Sequence, residues 1–194
     1  MFFSGIELKA LGKFFALIFA LVPIGYISMA QYQKDRIEAF LHPDNLSLPG
    51  NYQVWQSKVA IGSGGFFGKG LFGGTQKSLD FIPVQTSDFF FAVLGEELGL
   101  LGGFFVIALY LVLLLRMMSI LKNAVDFYGA LIISGIIGMF VFQIFENIAM
   151  TMGLMPVTGI TLPFLSYGGS SIVSNMLAIA LVLNIAVRSK KINF

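Results

Sequence analysis

Four apolar runs divide the chain, and one long polar stretch separates the first from the rest. Phe14 to Gln33 contains 20 residues without a charge, and Leu98 to Leu115 contains 18. Phe127–Phe145 and Ser171–Val187 are likewise uncharged. At about 1.5 Å of rise per residue, each run is long enough as a helix to cross a hydrocarbon core roughly 30 Å thick. The pattern predicts membrane spans at about 14–33, 89–115, 127–146 and 170–187. Pro23 is a candidate bend in the first, and a retained signal anchor would span in the same way. The fold class expected is an all-α integral membrane protein.

The polar stretch, Gln31 to Asp88, predicts a loop over 34–88 with short amphipathic helices. One piece runs from Tyr32 and stops at Pro43. A second, from Asn51 to Ile61, puts Tyr52, Trp55 and Val59 at helical spacing. Trp and Tyr favour the headgroup region, so this helix either lies at the interface or packs on other helices of the chain. Gly62 to Gly74 reads GSGGFFGKGLFGG, and its seven glycines argue against a stable helix there. The Walker pattern fails, because Ser63 stands where its first Gly belongs and Gly70 follows Lys69. A plain loop and an anion-binding loop built on Lys69 both remain open. A second irregular stretch, 153–169, carries Pro156, Pro163 and four glycines, and predicts a re-entrant or short outer hairpin.

Composition supports the membrane class. Hydrophobic residues make up 57% of the 194, charged residues only 11%, and mean hydropathy is +0.86, whereas soluble domains carry about 25% charged residues. A net charge of +2 without a basic stripe gives no reason to expect a nucleic-acid partner. With no Cys and one His, disulfides and thiolate chemistry are excluded, and a zinc site has too few ligands. Lys9, Lys13, Arg116, Lys122, Arg188, Lys190 and Lys191 fall on one side of a four-span arrangement. The positive-inside rule then puts both termini in the cytoplasm and the polar loop outside.

Asp88 stands where that loop enters the second span. An acidic residue there suits the positive end of the helix dipole, so Thr86, Ser87 and Asp88 read as capping groups. A catalytic carboxylate is the competing reading. Glu96 and Glu97 lie about 80° and 180° around a continuous helix from Asp88 and do not form a carboxylate pair with it. With Glu146 they are read as supporting intramembrane acids, a costly placement that demands a partner.

The most specific string follows the third run: Asn147, then Gly153-Leu154-Met155-Pro156-Val157-Thr158-Gly159-Ile160, then Phe164-Leu165-Ser166-Tyr167-Gly168-Gly169-Ser170-Ser171. It resembles, position by position, the signature of the SEDS family of bacterial cell-wall proteins (shape, elongation, division, sporulation). Tyr32-Gln33 with Arg36-Ile37, Gln56 to Gly65, Asp88-Phe89 and Glu96 to Gly99 resemble the same family. Gly68-Lys69-Gly70 with Gly74-Thr75-Gln76 is closer to its rod-shape than its division branch.

The resemblance implies the last four helices of a ten-helix bundle and a single, partial domain over 1–194. Whether the chain is a fragment, a truncated gene product or half of a split protein stays open, as does the activity of this part alone. It further implies a multi-pass protein of the bacterial cytoplasmic membrane that polymerises lipid II during elongation and shape maintenance. A class B penicillin-binding protein and membrane lipid are the other implied partners. The family's essential Asp matches Asp88. The family pattern Pro-Glu-x-His-Thr-Asp-Phe departs here to Pro83-Val84-Gln85-Thr86-Ser87-Asp88-Phe89, so no role transfers to the missing Glu and His. Lys58, Lys69 and Arg36 are the candidate cations for pyrophosphate, and Ser166, Gly168 and Gly169 are further candidate substrate contacts. No cofactor is evident, although a divalent cation such as Mg or Mn could share the charge. A lipid II translocase and a non-catalytic scaffold for a penicillin-binding protein are the alternatives.

Overall fold

The computed structural model describes residues 12, 13, 19, 21, 23, 25, 27–71, 73 and 87–189. Most of the first predicted span and the Pro83–Thr86 stretch lie outside these residues. Five helices are described in full: α1 (Gln31–Leu41), α2 (Asn51–Gly64), α3 (Phe90–Lys122), α4 (Phe127–Thr151) and α5 (Gly169–Ser189). The last three are long and apolar enough to cross a membrane. Ala30 is extended (ψ 154°), so α1 starts a new segment at Gln31 and the first span does not continue to residue 33.

One core joins α3, α4, α5 and the hairpin, built on Phe91, Val106, Tyr110, Ile133, Phe140, Leu162 and Val182. The opposite faces expose Leu101, Phe105, Leu109, Val141 and Leu181, the side chains that would meet lipid. Asp126 caps α4 by accepting from Gly129 N at 2.8 Å. At the other end Gly153 takes φ 71°. Gly153 N donates to Met150 O (2.9 Å) and Leu154 N to Ala149 O (2.8 Å), the two bonds of a Schellman stop.

The hairpin then turns inward. The Tyr110 hydroxyl donates to Pro163 O at 2.6 Å, and Phe164 stacks on Phe140 with ring centroids 5.8 Å apart. The hairpin therefore packs against α3 and α4. Leu162, Pro163 and Ser166 are buried against the helices, whereas Leu154 and Tyr167 stay exposed.

α3 is not one straight span. Gly99 has φ 66° and ψ −163°, which breaks it into a short limb, 90–98, and a long limb, 100–122. The Phe91 ring sits only 3.7 Å from where a Cβ on Gly103 would be. Twelve residues of straight helix would separate them by about 18 Å, so the short limb folds back on the long one at an elbow.

The glycine run fills that elbow. A continuous helix would bond Leu100 N–H to Glu96 O and Leu101 N–H to Glu97 O. Instead Leu100 N donates to Gly65 O (2.9 Å) and Leu101 N to Phe66 O (3.2 Å), while Lys69 N and Gly70 N donate to Glu96 O and Glu97 O, both at 3.0 Å. Four loop bonds replace two helical ones. Against expectation, α2 continues through Gly62 to Gly64. The reason is contact: a Cβ on Gly64 would lie 2.0 Å from Gly95 O. Helix propensity yields here to the close approach of two backbones. α2 buries Gln56, Ser57, Ala60 and Gly64, while Tyr52 and Trp55 stay exposed.

Candidate functional site

The elbow carries Asp88 back to the end of α4. Asn147, fully buried, donates from Nδ2 to Asp88 O (2.9 Å) and to Ile160 O (2.7 Å). This one amide ties the entry to α3 and the hairpin together. Phe89, also buried, packs beside Ala60 and Ala92 and is flanked by Val157 of the hairpin.

Asp88 does not cap α3. The N-cap residue is Phe89, and no side chain caps that end. The Asp88 carboxylate is half-buried and accepts from the Ser87 hydroxyl at Oδ1 (2.9 Å). Its other oxygen, Oδ2, lies 3.4 Å from the Cβ position of Gly159, where φ is 77°. A Cβ there would only touch the carboxylate, but the positive φ itself disfavours a side chain. Asp88 is therefore held by its backbone, with one carboxylate oxygen facing the hairpin.

A second acid stands near. Glu146, buried on the last turns of α4, accepts from the hydroxyl of Thr158, the residue before the Gly159 that Asp88 faces. Glu146 is thus the acid that accompanies Asp88. Glu96 and Glu97 belong to the elbow, where Glu96 is buried and pairs with Lys69 (Nζ to Oε1, 2.8 Å). Lys69 is thus tied to the elbow through Glu96.

The other candidates separate. Arg36, on α1, donates from Nη1 to Val157 O at 2.8 Å, one residue from the Thr158 that holds Glu146. Lys58, on α2, is exposed and lays its chain end across Gly153, where a Cβ would meet Nζ at 2.6 Å. Arg36 and Lys58 line one groove between α1, α2 and the hairpin. Ser166 is buried, and its hydroxyl accepts from Leu162 N (2.8 Å), so it shapes the hairpin from within. Gly168 and Gly169 build the start of α5, with Gly168 O accepting from Ile172 N. Asn147 and Thr158 belong to the hairpin signature. Their work is to bond a main chain and a neighbouring acid, which residue type alone does not announce. Among the described residues no three His, Cys, Asp or Glu side chains are grouped to hold a metal ion.

Residues 1–191 match the family model FtsW/RodA/SpoVE, described as "cell cycle protein". The peptidoglycan glycosyltransferase RodA of Treponema pallidum is 45% identical over 165 residues, 85% of this chain and 38% of that protein. The peptidoglycan glycosyltransferase MrdB of Escherichia coli K12 is 38% identical across the whole chain, which covers 52% of MrdB. Stage V sporulation protein E of Bacillus subtilis is 42% identical over 86% of this chain and 45% of its own length. The chain spans about half the length of these relatives, or less. A solved chain described under "Structural coordination of polymerization and crosslinking by a peptidoglycan synthase complex" superposes with a TM-score of 0.77 at 29% identity, over 98% of this chain and 52% of that one. With its signature residues folded around Asp88 and the family model matched almost end to end, this multi-pass membrane chain belongs to the FtsW/RodA/SpoVE, or SEDS, family.

Proposed function

We propose that this chain is the catalytic half of a peptidoglycan glycosyltransferase that polymerises lipid II at the outer face of the bacterial cytoplasmic membrane, with both termini inside. The observation that carries the reading is Asp88: a carboxylate fixed by its backbone to Asn147, with Oδ2 turned to the hairpin and without a hydrogen-bond donor among the described residues. Joining a sugar hydroxyl to an anomeric carbon needs a base for the hydroxyl and positive charge for the departing pyrophosphate. In a single inverting displacement Asp88 takes the hydroxyl proton as the new C–O bond forms and the lipid pyrophosphate leaves. No enzyme nucleophile is required.

Arg36 and Lys58 flank the hairpin and supply charge for the pyrophosphate. A divalent cation such as Mg or Mn, held chiefly by water and the pyrophosphate oxygens, would add to that charge and leave Asp88 as the base. A class B penicillin-binding protein is the partner that would crosslink the product. The translocase alternative draws on broken helices with intramembrane acids. Here the groups freed at the Gly99 break bond to the loop instead of facing a passage, which favours the polymerase.

The test joins this chain to the N-terminal half of the E. coli relative and reconstitutes the product in liposomes with labelled lipid II. Glycan polymer is expected, and Asp88→Asn should abolish it while the protein still accumulates and melts as before. Polymer from the Asn variant would rule out the base. Translocation of lipid II without polymer would favour the carrier reading.

A further inference from the structure

We propose that Lys69 and Glu96 are positioning residues: their ion pair clasps the glycine loop to the elbow of α3 and thereby sets where Asp88 stands. This rests on the reading of Asp88 as the base.

The two residues are joined twice, by the side-chain pair at 2.8 Å and by Lys69 N to Glu96 O at 3.0 Å. Glu96 is buried, and a buried carboxylate is stable only with a charged partner and hydrogen bonds around it. It sits three residues before Gly99, at the elbow end of the short limb. Asp88 sits just beyond the other end. The short limb is about 13 Å long, so a tilt of about 10° at the elbow moves Asp88 by about 2 Å. Misplacement by about 1 Å is enough to cost about a hundredfold in rate. The clasp therefore acts on the chemical step through geometry, without touching substrate.

A disulfide supplies a second clasp. The chain has no cysteine, and a Cβ on Gly95 would lie 3.6 Å from Ile61 Cβ, within the span a disulfide bridges. Ile61→Cys with Gly95→Cys would lock α2 to the short limb beside the ion pair.

The experiment uses the liposome assay with a cysteine-free N-terminal half. Lys69→Met and Glu96→Gln should each lower kcat for lipid II polymerisation about tenfold or more, with KM within about twofold. Lys69→Arg should keep most of the rate. Oxidation of the cysteine pair should restore most of the Lys69→Met rate, and reduction should remove the gain. An unchanged kcat in Lys69→Met, or a loss that persists once the disulfide has formed, overturns the clasp. If Lys69→Met does not accumulate, Lys69→Gln with the cysteine pair is compared oxidised and reduced, and equal rates overturn it. Asp88→Asn is expected to stay inactive in both states. Activity there would defeat the base assignment whatever the clasp does.

Discussion

Asn147 and Asp88 are joined through an amide and a carbonyl: Nδ2 of one donates to the main-chain oxygen of the other at 2.9 Å, fifty-nine residues away in sequence. The same amide holds Ile160 O, so a single side chain fixes the catalytic candidate against the hairpin. Asn147→Ala should leave both carbonyls without their donor. The expected cost is about 1–3 kcal/mol, read as a lower melting temperature in detergent. Polymerisation should fall with it. Asn147→Asp should do no better, because an ionised carboxylate has no proton to donate. A melting temperature unchanged in both variants would show that the clamp carries no weight.

Gly99 offers a sharper contrast. A Cβ there would lie 2.3 Å from Gly68 N and 2.8 Å from the carbonyl of Phe66, at φ 66°. Gly99→Ala should straighten α3 or expel the loop, at a cost of at least about 1–3 kcal/mol in strain alone. Gly135 and Gly138 lie in α4 with nothing within 4 Å of the corresponding position. Alanine at either should be neutral or mildly stabilising. Thermal melting of the three variants side by side checks this, and equal behaviour would mean the elbow is not required.

The elbow also marks where sequence reasoning stops. Hydropathy located the spans of α3, α4 and α5, because an apolar run of that length leaves few other folds. The signature strings singled out Asp88 and the hairpin. The break at Gly99 lies inside an apolar run, Leu98 to Leu115, that reads as uninterrupted. Only the pairing of its freed backbone groups with Gly65 to Gly70 exposes it, and backbone pairing leaves no mark on residue type. The pairing of Lys69 with Glu96 is hidden for the same reason: that fold brings the two together, not their spacing. Asp88 resembled a cap because acidic residues suit helix starts, whereas the helix begins two residues later, at Phe90.

The membrane reading separates two kinds of exposed position. Leu109 is 53% exposed within the long limb of α3, and Tyr128 is 76% exposed at the start of α4. In water, lysine would be tolerated at both. In a bilayer, Leu109→Lys should cost about 2.5–3.5 kcal/mol near the helix centre, whereas Tyr128→Lys lies at the end and stays cheap. The expected outcome is poor membrane accumulation of the first variant and normal accumulation of the second. Equal accumulation would contradict the span.

Arg36 and Lys58 should divide substrate binding from hairpin support. The Lys58 ammonium has neither a hydrogen bond nor an ion pair among the described residues, so removing its charge leaves the fold intact. Exposed charges interact by about 0.5–1 kcal/mol, equivalent to about two- to fivefold in affinity. Lys58→Gln should therefore raise KM for lipid II by about that factor, with kcat within about twofold and the melting temperature unchanged. The KM difference from the parent should shrink as salt screens the charge. Arg36→Gln removes a charge and also the bond to Val157 O. It should raise KM, lower the melting temperature and reduce kcat, since Thr158, which bonds Glu146, and Gly159, which faces Asp88, follow directly. If Lys58→Gln leaves KM unmoved at low salt, Lys58 does not meet the pyrophosphate. If Arg36→Gln changes KM alone, its carbonyl bond does not support the hairpin.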